Sequence, residues 1–150
     1  MTSSEKYIAS DAATTIGNIA IDSTHQILLC RLGATENLIR LMESSLECCL
    51  SSCRAISRMA IPNENKPICV ENRSLLHHLI HFCSSQNKHL LRFTATGICN
   101  LSSNDKAQEG LVESNGVKAL LLLTRNNSDD VVQAATKALC NLGIRKKNQD

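Results

Sequence analysis

The chain has no tryptophan, one tyrosine (Tyr7) and two phenylalanines (Phe82 and Phe93) among its 150 residues. A core without large rings must be built from Leu, Ile, Val, Ala and Cys, which suits helices packed close together. Proline is nearly absent. Pro62 and Pro67 share one short segment, so helices can run uninterrupted elsewhere. No apolar run approaches the ~20 residues needed to cross a bilayer, and no charged and then apolar leader opens the chain. The formal net charge is only +2, so no global field gathers nucleic acid or a membrane surface. The scattered glycines form no Gly-x-Gly-x-x-Gly phosphate loop.

Cysteine breaks this pattern of scarcity, with eight residues. A secreted disulfide scaffold would set them in the loops of a short chain. Here Cys53, Cys69 and Cys83 fall at core-facing helical spacing, and Cys99 and Cys140 share one column of a repeat. They read as small, reduced hydrophobes of a cytosolic or nuclear protein. On that reading the Asn-x-Ser matches at Asn72, Asn100 and Asn126 carry no glycan.

What the chain does have is a repeat. Thr15-Ile16-Gly17-Asn18-Ile19-Ala20 returns as Ala55-Ile56-Ser57-Arg58-Met59-Ala60, as Gly97-Ile98-Cys99-Asn100-Leu101-Ser102 and as Ala138-Leu139-Cys140-Asn141-Leu142-Gly143. The polar centres lie 40, 42 and 41 residues apart, a period of stacked helical units. Apolar residues recur with helical period throughout. A second column sets Gly33, Ser74 and Gly116 five residues before Leu38-Ile39, Leu79-Ile80 and Leu121-Leu122. Upstream of it lie Leu28-Leu29, Cys69-Val70 and Leu111-Val112. Each unit therefore has three helical segments, with a Gly-type reversal between the first two.

Polar turns precede the third segments at Glu43-Ser44-Ser45, Ser84-Ser85-Gln86-Asn87 and Asn126-Asn127-Ser128-Asp129. Ser44 with Glu47 fits a capping box. The register is a lone third helix at about 4–21, then repeats at about 22–61, 62–103 and 104–143. A basic stub at 144–150, carrying Arg145-Lys146-Lys147, reads as a solubilising tail.

Three helices per unit, Gly between the first two and Ala/Gly-Leu/Ile-x-Asn-Leu/Ile in the third, resemble armadillo repeats. The copy from Asp105 to Gly143 is the most similar, with Gln108 to Val117 like the family's first-helix ending and Ala134 to Leu142 like its third helix. The second unit departs from the pattern, with Ser74 in place of Gly and Arg58 in place of Asn. The resemblance implies an all-α, right-handed α-solenoid over 1–150, without cofactor, metal or catalysis.

The resemblance also implies a concave groove lined by third helices, whose Asn column bonds the backbone of an extended peptide. An Asn amide offers donors and an acceptor that match a peptide bond. By position, Asn18, Arg58, Asn100 and Asn141 form that column, with Thr14, Arg54, Thr96 and Lys137 one turn earlier and Arg92 beyond. Importin-type relatives carry Trp at the earlier turn to stack on basic cargo. This chain has none, and sets Arg54, Arg58, Arg92 and Lys137 on the face instead. The expected partner is an acidic or phosphorylated protein segment, which Arg grips in two-point geometry. Two blander readings stand beside this one. The long cations would be merely solvated, or the Asn side chains would bridge neighbouring repeats.

Three alternatives have their own residues. Cys48, Cys49 and Cys53 with His77, His78 and His81 would make a thiol or metal site, although the spacing fits no standard zinc pattern and Cys53 sits in a core column. A structural subunit would use the solenoid ends, where Ile8, Ala12, Ile16 and Ile19, and Val131, Val132, Leu139 and Leu142, keep the apolar columns of internal repeats. Self-association through those ends is the third expectation.

Overall fold

The computed structural model describes residues 2–147, and the described residues contain helices and turns but no strand. The helices are α1 (Ser3–Ile19), α2 (Ser23–Arg31), α3 (Ala34–Leu41), α4 (Leu46–Met59), α5 (Asn65–Glu71), α6 (Arg73–Phe82), α7 (Lys88–Leu101), α8 (Asp105–Glu113), α9 (Gly116–Leu123) and α10 (Asp129–Lys147). The long helices α1, α4, α7 and α10 pack one on the next in chain order, and α2, α5 and α8 form a second row beside them. The architecture is an all-helical solenoid. Residues 144–147 continue α10, and 148–150 of the basic stub lie outside the described residues.

Short polar side chains start most of these helices by accepting from backbone N–H groups that have no partner within the helix. Asp22, Asn72, Asn87 and Asn104 do so for α2, α6, α7 and α8. At α4 the cap is Ser45, which accepts from the Cys48 N–H, while Ser44 turns back to donate to the Leu41 carbonyl. With the cap at Ser45, Glu47 sits one place too early to close a box, so the box expected of Ser44 and Glu47 does not form. A complete capping box forms at Thr2 and Glu5 instead, each side chain bonding the other's backbone N–H.

The reversals between first and second helices correct the Gly column. Only Gly33 fits the expectation, with φ 80° in the left-handed region. In the second unit one extended residue, Asn72, joins α5 to α6, and Ser74 already lies in α6. In the third unit the left-handed residue is Asn115, at φ 60°, and Gly116 begins α9. Gly116 is needed for another reason: a Cβ there would lie 2.6 Å from the Leu111 carbonyl oxygen. This one-residue shift carries through α9. Leu120 and Leu123 are buried, and the expected pair Leu121-Leu122 is exposed.

A buried amide column, unforeseen in the sequence, ties the rows together. Gln26 Nε2 donates to the Ala20 carbonyl, Asn65 Nδ2 to the Met59 carbonyl and Gln108 Nε2 to the Ser102 carbonyl. Each acceptor lies at the end of the preceding long helix. Asn65 also donates to the Gln26 carbonyl of the preceding unit, and Gln108 to the Asn141 carbonyl of its own unit's long helix.

Two substitution sets test this account. Asn65→Leu keeps the volume but strands two buried carbonyls, so urea unfolding should show a loss of about 2–4 kcal/mol. Gly33→Ala should cost about 1 kcal/mol through its φ, and Gly33→Asn should recover most of it. Gly116→Ala and Gly116→Asn should both cost about 1–3 kcal/mol, because the clash is with backbone.

Candidate functional site

Helices α4, α7 and α10 line an open, shallow hollow of about 650 Å³. It takes five of the sequence-predicted residues: Arg54, Arg58, Arg92, Thr96 and Lys137. Ser57, Phe93, Cys99, Asp130, Gln133 and Ala134 complete its lining. Four cations thus face one carboxylate across the same space. Among the described residues none of the four is seen paired with a carboxylate, unlike His25 with Asp22, Arg40 with Glu36 and His78 with Glu43.

The two arginines of α4 are held by neutral acceptors on α1. Arg54 Nη2 donates to Asn18 Oδ1 at 2.7 Å and to the Thr14 carbonyl at 3.3 Å. Arg58 Nη1 donates to the Gly17 carbonyl. These bonds fix the guanidinium groups without cancelling their charge. Arg92 is exposed and sits 5.2 Å from the centre of the Phe93 ring, a cation–π contact. Phe93 occupies the column of Asp11, Ser51 and Ala134, where no other unit has an aromatic ring.

The remaining predicted residues are not brought into the hollow. Thr14 Oγ1 lies 2.8 Å from Ser51 Oγ, a hydroxyl pair between α1 and α4. Asn100 Nδ2 donates to the Ser57 carbonyl and Asn141 Nδ2 to Ser102 Oγ, each reaching back to the preceding long helix. Asn18 reaches forward, by accepting from Arg54. In this structure the three Asn side chains bridge neighbouring units, each committing one amide atom to the bridge. Thr96 lines the hollow while its hydroxyl donates to the Arg92 carbonyl.

Behind the hollow lies a residue the sequence reading passed over. Lys66 is buried, and its Nζ donates to Asn63 Oδ1 at 2.6 Å and to Ser103 Oγ at 2.7 Å. Burial lowers its pKa, an effect that Cys99 and Glu64 oppose and Lys137 reinforces. Burial raises the Cys99 thiol, with Lys137 and Lys66 pulling the other way. Hydrogen-bonding residues three apart in sequence, such as Asn63 and Lys66, are a faint signal against the many polar residues of a turn.

The thiol cluster does not assemble as a site. Cys48, Cys49 and Cys53 are buried, and the Cys49 thiol and burial together raise Cys53 far above its usual range. His77 and His81 face outward, and His78 stacks on Phe82 at 6.0 Å. Among the described residues no three His, Cys, Asp or Glu side chains gather to hold a metal ion. A second hollow of about 450 Å³, between the α6–α7 and α9–α10 turns, has Lys88 as its one charged residue.

Residues 106–143 match the family model for the armadillo/beta-catenin-like repeat. The chain carries an armadillo repeat and has the armadillo fold. Its structure is similar to that of an engineered protein at TM-score 0.84 and 24% identity, over 94% of this chain and 58% of that one. It is also similar to the designed armadillo repeat protein YIII(Dq)4CqI, at TM-score 0.83 and 24% identity, over 90% and 58%. A third similar structure is the designed armadillo repeat protein YIII(Dq.V1)4CPAF in complex with the peptide (KR)4, at TM-score 0.77 and 24% identity, over 89% and 57%. The armadillo fold here thus spans less than two thirds of the length of these proteins. No curated protein matches the chain in sequence.

The bridging role of the Asn column in this armadillo fold has a measurable consequence. Asn100→Ala should lower stability by about 1 kcal/mol, through the lost bond to the Ser57 carbonyl. Thermal unfolding without any ligand would register that loss, whereas an Asn that served only a ligand would leave the midpoint unmoved.

Proposed function

We propose that the chain is a non-catalytic protein-interaction module that binds an extended, acidic or phosphorylated segment of a partner in the hollow between α4, α7 and α10. The observation that carries this reading is the charge of the hollow: Arg54, Arg58, Arg92 and Lys137 against Asp130. Carboxylates and phosphates accept from arginine through two parallel bonds, at about twice the strength of neutral pairs. Phe93 adds a flat apolar surface beside Arg92, against which the stem of an extended side chain can lie. The designed neighbour in complex with (KR)4 pairs this fold with a basic peptide. A hollow that holds four cations of its own repels such a peptide.

The reading includes a cytosolic or nuclear setting, supported by eight free thiols, six of them buried. No helix among the described residues is long and apolar enough to cross a membrane.

The test uses Arg92→Glu with Lys137→Glu, because neither side chain makes a hydrogen bond to another helix among the described residues. A fluorescent Glu-rich peptide carrying phosphoserine should bind the wild-type chain in low salt and weaken as salt rises. In the double variant its affinity should fall at least about tenfold, the loss of one charge-assisted contact or more, with the unfolding midpoint unchanged. Equal or tighter binding of (KR)4 by the wild-type chain would refute the assignment.

A further inference from the structure

We propose that Lys66 is a specificity-determining residue of the hollow between α4, α7 and α10, its buried ammonium group charging the hollow from behind and favouring an anionic segment without touching it. The proposal rests on the reading of the hollow as a binding site for acidic segments. Among the described residues Lys66 is the one charged side chain that is buried, at 8% exposure. Taking an ammonium group out of water is costly unless its surroundings compensate it. Here the bonded acceptors are neutral, Asn63 Oδ1 and Ser103 Oγ.

Stapling the units does not account for the charge. Lys66 follows Asn65 of the buried amide column, and the residues that follow Gln26 and Gln108 are Ile27, half-buried, and Glu109, exposed. The column itself bonds neighbouring helices with uncharged amides. A cation buried one place further on carries a desolvation cost that a staple does not need.

The bonds of Lys66 lead toward the hollow. Ser103 Oγ, which accepts from Nζ, donates in turn to the Asn100 carbonyl of α7. Cys99, the residue before Asn100, lines the hollow with Lys137. Burial lifts the Cys99 thiol, and Lys137 and Lys66 draw it back. Burial lowers Lys66 and Lys137 adds to the lowering, while Cys99 and Glu64 oppose it. The two ammonium groups thus stand short of negative charge, and a carboxylate or phosphate in the hollow supplies it. A field that runs through protein is also screened less by salt than that of the exposed Arg92.

The test is Lys66→Met in the full chain, which removes the charge and keeps most of the stem. Cys99 reports the field with no ligand present. Its alkylation by neutral iodoacetamide, followed across pH by peptide mass spectrometry, should move to higher pH by at least about half a unit, with the exposed Cys140 as internal control. Affinity for the Glu-rich phosphoserine peptide should fall at least about threefold. Asn63→Ala with Ser103→Ala removes both bonds and keeps the charge, so both readouts should stay near their wild-type values. An unmoved Cys99 or an unmoved affinity in Lys66→Met overturns the role of Lys66 and, where the wild-type chain binds the peptide, leaves the hollow standing. So does a loss of affinity in the second variant, which makes Lys66 a staple; that variant decides alone where Lys66→Met fails to fold. A wild-type chain that does not bind the peptide overturns the hollow itself, and the role of Lys66 with it.

Discussion

The solenoid depends on satisfying the carbonyls at the ends of its long helices. A helix end leaves several C=O groups without intrahelical partners, and here those ends are buried between rows, out of reach of solvent. Gln26, Asn65 and Gln108 answer this with one geometry, each donating to the carbonyl six residues earlier. Because each of those carbonyls belongs to the preceding unit, and Asn65 bonds the Gln26 carbonyl there as well, the same side chains set the spacing between repeats. Aliphatic packing alone would hold the rows together but would let them slide. The amides fix the register, since a slipped row would strand buried polar groups at about 1–3 kcal/mol each.

With the rows fixed, the hollow follows from what the long helices carry on their shared side. The preceding long helix offers backbone carbonyls, the Asn18 side chain and the Ser102 hydroxyl to the next, and Arg54, Arg58, Asn100 and Asn141 use them. Polar residues in one column therefore serve two ends. They staple neighbouring helices, and they decide the charge of the surface left over. Arg58 in place of Asn changes the second role more than the first, since it still reaches the preceding helix while adding a full positive charge.

The class of fold was legible because it rests on repetition, which needs only small and apolar residues at a constant period. The long helices, read from four copies of one pattern, fall where that pattern lies. The finer errors share a physical origin. Gly116 looked like the reversal because glycine serves both positive φ and close approach, and the sequence does not say which; Asn115 takes the first role here and Gly116 the second. Ser44 and Ser45 are chemically equal candidates for a cap, and only the chain path separates them. Phe93 and Lys66 were missed because their importance lies in neighbours from other helices. The amide column was missed because its residues alternate between Gln and Asn, which hides a shared geometry behind two letters.

The staples on α4 also bear on how the hollow would meet an acid. An arginine free in solvent must lose about 2 kcal/mol of rotamer freedom before it can grip a partner in two-point geometry. Arg54 and Arg58 have already lost it, because their guanidinium groups rest on Asn18 and on α1 carbonyls. Those acceptors are neutral, so ordering leaves the charge whole; an aspartate in place of Asn18 would order Arg54 equally well and cancel it. Arg92 is steadied by a ring face, which also leaves its charge intact. Neutral acceptors, in place of the carboxylates that usually tie down surface arginines, are what separate a charged and ordered hollow from an ordinary solvated face. The ordering is met when the helices pack, before any partner arrives.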